Sequence, residues 1–125
     1  MLDVRLPVTP EAASTARQSL WGFHSLLDPR VFEDLRLLVS ELVTNSLRHA
    51  GLGSTDVIRL RVNLTNGDVR VEVTDEGPGF SVSEEDPSLY QQSGWGLFLV
   101  RQIADRWGVR RNRYTCVWFE LSRGR

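Results

Sequence analysis

Residues 69–80 read VRVEVTDEGPGF, an alternating run that passes through an acid into two glycines. Val69, Val71 and Val73 alternate with Arg70, Glu72 and Thr74, so the reading is a strand with one apolar and one wet face. Asp75 continues the apolar parity. A carboxylate aimed at a core is costly unless something donates to it. Gly77 and Gly79 then remove side chains where a backbone or a ligand can come close. On this stretch alone two readings stay open: a binding floor, or an aspartate that caps the turn into Glu76-Gly77.

The partner strand lies just upstream. Ile58, Leu60, Val62 and Leu64 alternate with Arg59, Arg61 and Asn63, and Asn66-Gly67 is a strong hairpin signal. A two-residue turn sets Leu64 against Val69, Val62 against Val71, Leu60 against Val73 and Arg61 against Glu72, each pair matched in polarity. The same register puts Asp75 opposite Ile58.

Composition bounds the rest. With 125 residues, a net charge of -1 and 41% hydrophobic residues, the chain is expected to be one domain over 1–125, large enough for a core and biased towards neither disorder nor a bulk electrostatic partner. No apolar run is long enough to span a bilayer, and MLDVRLPVTPE lacks the layout of a signal peptide, so no membrane partner and a cytoplasmic location are expected. A single Cys116 leaves no disulfide or zinc site within the chain. All 15 basic residues are arginine. Phosphate-loop nucleotide binding, the usual protein-kinase fold and Schiff-base chemistry each need a lysine, so those classes are excluded; codon bias explains the omission itself.

In chain order, Leu2 to Val8 reads as an edge strand, and Thr9-Pro10-Glu11 as the start of a helix reaching about Leu27. Asp28-Pro29 starts a second helix over 30–49, ended by Gly51 and Gly53. Its stripe is Val31, Leu35, Leu38, Leu42 and Ser46, flanked by Val39 and Val43. Glu41, Asn45 and His49, four apart, climb a line that drifts into this stripe at ~100° per residue. Such a ridge is either a solvated edge or a place where acid and amide groups hold a hydrated cation against an anionic ligand.

Residues 81–93, SVSEEDPSLYQQS, read as a loop of lid length. Gly94-Trp95-Gly96 opens a third helix, whose apolar face is expected to carry Leu97, Val100, Ala104 and Trp107 with Ile103 beside them. Glycines at a helix N-terminus make either a flexible turn or a phosphate cradle. A last hairpin turns around Asn112-Arg113, with Thr115, Val117, Phe119 and Leu121 on one parity. Seven arginines in the last 25 residues form either a basic patch or the wet face of edge strands. No nucleic-acid motif accompanies them, so no direct nucleic-acid contact is expected.

Taken together, ELVTNSLRHA (41–50), VTDEGPGF (73–80) and GWGLFLV (94–100) resemble the three motif boxes of the GHKL ATP-binding superfamily, which includes histidine kinases, gyrase, Hsp90 and MutL. The likeness runs from about Pro10 to Leu121. The short lid and the closing strand YTCVWFEL are most similar to stand-alone anti-sigma-factor serine kinases; the arginine-only composition and IADRWGV suggest an actinobacterial member.

The resemblance implies an α+β fold, a two-layer sandwich of a mixed, mostly antiparallel sheet with helices on one face, and it implies ATP or ADP with Mg²⁺ as ligands. Asp75 would accept from the adenine amino group, with Gly77 and Gly79 letting the base lie against the backbone and Thr115 beside it. Asn45 would hold Mg²⁺. Gly94, Gly96 and Leu97, whose N–H groups open the third helix, would cradle the phosphates, and Glu41 would be the general base towards a protein serine; Arg48 and His49 match the box in type. Ser46 departs harmlessly from a common alanine, whereas Trp95 departs between the phosphate-loop glycines and bears on turnover more than on binding. The implied partners are a small anti-anti-sigma protein as substrate and a sigma factor, with a possible homodimer. The alternative is a nucleotide-dependent binding switch without phosphotransfer, in which Glu41 is a bystander.

Overall fold

Strand β1, Leu2–Pro7, opens the chain in the computed structural model, which describes residues 1–50, 57–76, 94–111 and 114–122. Helix α1, Ala12–Ser19, passes through a short 3-10 turn, Leu20–Phe23, towards helix α2, Pro29–Ala50. Strands β2, Val57–Thr65, and β3, Asp68–Glu76, form the central hairpin. Helix α3, Gly94–Ile103, leads into β4, Arg106–Arg111, and β5, Thr115–Ser122. The sheet order is β1-β2-β3-β5-β4, with all four pairings antiparallel.

Hydrophobic alternation and the turn set the β2–β3 register as expected: Leu64 pairs with Val69, Val62 with Val71, Leu60 with Val73, Arg61 with Glu72, and Ile58 with Asp75. Gly67 closes the turn at φ 86°, a conformation that costs glycine little. One face of the sheet then contributes Ile58, Leu60, Val62, Val69, Val71, Val73, Phe119 and Leu121 to a core shared with all three helices. Against it lie Ala12, Ala16 and Leu20 at four-residue spacing, and the α2 stripe Val31, Leu35, Leu38, Val39, Leu42 and Val43. This is the two-layer α+β sandwich that the sequence implied.

Three helix boundaries differ from expectation. The α1 start has no side-chain cap; Thr9 contributes its carbonyl to the Ala12 N–H instead. The helix also stops at Ser19 rather than Leu27. There the Ser19 hydroxyl donates to the Ala16 carbonyl, the Leu20 N–H turns to Arg17 and Gln18, and Gly22 follows, which tightens the chain into the 3-10 turn. At the far end α3 stops at Ile103, so Trp107 belongs to β4 and pairs with Phe119 rather than extending a helical face. Asp105 takes the chain over: its N–H donates to the Glu120 carbonyl, and its carboxylate accepts from the Ser122 N–H at 2.7 Å. By contrast Asp28 starts α2 as expected, accepting from the Arg30 N–H at 3.0 Å. The glycines expected to end α2, Gly51 and Gly53, and the loop 81–93 lie outside the described residues.

Candidate functional site

Four polar residues are buried in the described structure: Asn45, Ser46, Asp75 and Thr115. Their positions follow from periodicity. Asn45 and Ser46 sit where the α2 stripe turns inward, and Asp75 and Thr115 stand on the inner parity at one end of the sheet. Asp75 lies between two inner-face neighbours, Ile58 on β2 and Thr115 on β5. Because α2 packs across β3 and β5, amide, carboxylate and hydroxyl all belong to the layer between helix and sheet.

That layer is otherwise apolar, and polar groups there carry a desolvation cost. The amide nitrogen of Asn45 is buried and meets no hydrogen-bond acceptor among the described residues. A donor kept in this state fits a site completed by an anionic or hydrated ligand. Asp75 beside a buried hydroxyl fits a ligand that presents both donor and acceptor edges, as a purine base does. The chemistry of the set therefore fits a nucleotide, with Asn45 also able to ligate a hard cation through oxygen.

The remaining candidates divide. Glu41 is half-buried one turn before Asn45, so the two share a ridge on α2, and Arg48 is exposed beyond them. Gly94 and Gly96 lie in the first turn of α3, which packs against α2, and Leu97 is buried there. Gly77 and Gly79 fall outside the described residues, as do the side chains of His49 and Trp95. One residue escaped the sequence reading. The β4–β5 register pairs Arg111 with Thr115, which puts an arginine on the same inner parity as the buried threonine. Extending the Thr115–Leu121 parity across the last hairpin would have found it.

Known proteins resemble this chain along most of its length. The histidine kinase-like ATPase domain matches residues 6–121. The serine-protein kinase RsbW of Listeria innocua is 31% identical over 118 residues, covering 83% of this chain and 75% of that protein. The anti-sigma F factor of Clostridium botulinum is 40% identical over 100 residues, covering 72% of this chain and 70% of its own length. None of these organisms is actinobacterial, so the origin suggested by composition gains no support from them. Among solved structures, the catalytic domain of the histidine kinase ThkA superposes with a TM-score of 0.58 over 98% of this chain and 97% of its own, at 16% identity, a likeness of fold alone. Since the match runs from the end of β1 almost to the end of β5, the chain belongs to the family of histidine kinase-like ATPase domains, within the GHKL superfamily.

Proposed function

We propose that the chain binds ATP and transfers its terminal phosphoryl group to a serine of a small anti-anti-sigma protein, and that in its free form it binds and inhibits a sigma factor. The observation that carries this reading is the buried polar set of Asn45, Asp75 and Thr115 between α2 and the sheet. The names of the relatives, a serine-protein kinase and an anti-sigma factor, supply the direction of transfer and the class of partner.

In this reading Asp75 accepts from the adenine amino group, and Thr115 fixes the same edge of the base. Gly77 and Gly79 let the ring approach the backbone. The N–H groups of Gly94, Gly96 and Leu97 at the start of α3 hold phosphate oxygens, where the helix dipole favours negative charge. Asn45 would hold Mg²⁺ through its side-chain oxygen, and the ion would supply neutralisation of phosphate charge. Glu41 accepts the proton of the serine hydroxyl as that oxygen bonds to the terminal phosphorus and the bond to the ADP oxygen breaks. Homodimerisation, a cytoplasmic location and action on proteins rather than nucleic acid belong to the same proposal.

Calorimetric titration with ATP and ADP, with and without Mg²⁺, tests the reading when run in parallel on Asp75→Asn. The expected outcome is Mg²⁺-dependent ATP binding by the wild type and a loss of at least about tenfold in the variant, from one charge-assisted hydrogen bond. Absence of binding by the folded wild type would overturn the proposal.

A further inference from the structure

The face of the sheet turned away from the helices carries an unbalanced charge pattern. Glu72 accepts from three arginines: Arg110 at 2.9 Å, and Arg61 and Arg70 at 3.4 Å each. Glu120 is shared by Arg70 at 2.9 Å and Arg106 at 3.5 Å. Asp3 takes a two-pronged bond from Arg59 and lies in the field of Arg61 and Arg5 as well. Register also sets Arg5 directly opposite Arg59, a like-charge cross-strand pair that costs stability. Among the described residues of this face, six guanidinium groups thus stand against the three carboxylates of Asp3, Glu72 and Glu120, with Asp68 a fourth acid on the same parity at the end of β3.

Within this face a groove of about 350 Å³ is lined by Arg59, Arg61 and Arg110 together with Glu72, Thr74 and Tyr114. Asp3 grips Arg59 through two bonds, and Glu72 accepts from one nitrogen each of Arg61 and Arg110; such contacts bias the guanidiniums towards this face and reduce the entropy lost on forming further hydrogen bonds. The Arg110 side chain is 58% accessible, so its outer edge faces solvent.

We propose that this open sheet face is a docking surface for an acidic segment of a protein partner, with Arg61 and Arg110 as its principal anchors. Charge complementarity selects the occupant. A second copy of the same face would set positive charge against positive. Nucleic-acid domains are typically strongly basic overall, whereas this chain has a pI of about 6.1. Planar, pre-oriented guanidiniums match carboxylates with two-pronged geometry. The surface lies on the side of the sheet opposite Asp75 and Thr115, so the inference stands independently of the nucleotide reading.

The test is fluorescence anisotropy with a labelled glutamate- and aspartate-rich decapeptide, run on the full chain with and without saturating ADP. A single-stranded oligonucleotide of equal charge is titrated in parallel. Arg61→Gln with Arg110→Gln removes the anchors while leaving the Arg59–Asp3 bond; Arg110→Gln alone is compared with Arg30→Gln, on an exposed helix start, which removes the same single charge. The expected result is peptide binding that weakens with salt, falls about fivefold to thirtyfold in the double variant, and is unchanged by Arg30→Gln or by ADP. Urea unfolding verifies that the double variant is folded; if it is not, Arg110→Gln alone carries the comparison. No binding by the wild type, equal binding by the anchor variants, or tighter binding of the oligonucleotide would each overturn the proposal, the last in favour of a nucleic-acid partner.

Discussion

Gly108 on β4 faces the indole of Trp118, and a Cβ at that position would meet Nε1 at 2.7 Å and the adjoining ring carbons at 2.8 and 2.9 Å. The ring is also covered by Arg70, whose guanidinium carbon lies 4.3 Å from its centroid. The indole is therefore confined between the β4 backbone and a cation. Gly108→Ala is expected to lower unfolding stability by about 1–3 kcal/mol, the usual cost of overpacking, as read from the urea midpoint. An alanine variant as stable as the wild type would mean that Trp118 can leave the strand freely. This constraint was not legible in the sequence, because Gly108 and Trp118 meet only through the β4–β5 register. Asp75 was legible, because an acid that continues a run of valines announces its face. Asn45 was legible for the same reason, lying on a line that enters an apolar stripe. Arg111 was missed because its parity depends on a hairpin of near-uniform arginine sequence, where no alternation marks the inner face.

At the scale of elements, the edge strand β1 is held to β2 by its ladder and by the Arg59 pair with Asp3, with Nε to Oδ1 at 2.9 Å and Nη2 to Oδ2 at 2.6 Å. The hydrogen bond from Arg59, aided by the charges of Arg59, Arg61 and Arg5, lowers the Asp3 carboxyl below its ordinary value. A folded-state value below the unfolded one means that the stabilisation is present above the usual aspartate range, about 3.9, and is lost as pH falls through the lowered value. The difference in urea midpoint between the wild type and Asp3→Asn is therefore expected at pH 7 and should shrink below about pH 4. A difference that stays constant down to pH 2 would exclude the pair as its source. Element identity was readable throughout, since every strand and helix expected over the described residues is present. Element ends were less so. The α3 end is set by Asp105 reaching the β5 backbone, and the α1 end by Ser19 and Leu20 bonding back along their own helix. The first is a tertiary contact. The second is a local competition between side chain and backbone that helical periodicity does not record.

At the scale of the molecule, the layer between helices and sheet serves two ends that conflict. It is the hydrophobic core, and stability favours filling it with apolar groups; it is also the candidate ligand site, and binding requires polar groups there. Local rules are broken where function is expected. Asn45 locates the conflict, since its amide nitrogen is buried without an acceptor among the described residues. Replacing it with leucine, of the same branching though somewhat larger, removes a buried unsatisfied donor and places a better helix former in α2. Asn45→Leu is therefore expected to be more stable than the wild type without ligand, by about 1–2 kcal/mol. Mg²⁺ and ATP should stabilise the wild type in proportion to the logarithm of ligand concentration over Kd and should not stabilise the variant. Urea unfolding of both proteins, with and without Mg²⁺-ATP, measures both quantities in one series. Four curves separate the cases. A variant more stable when free yet still stabilised by Mg²⁺-ATP would move the cation ligand elsewhere, whereas one less stable when free would mean that the amide is already satisfied and that Asn45 belongs to the core rather than to the site.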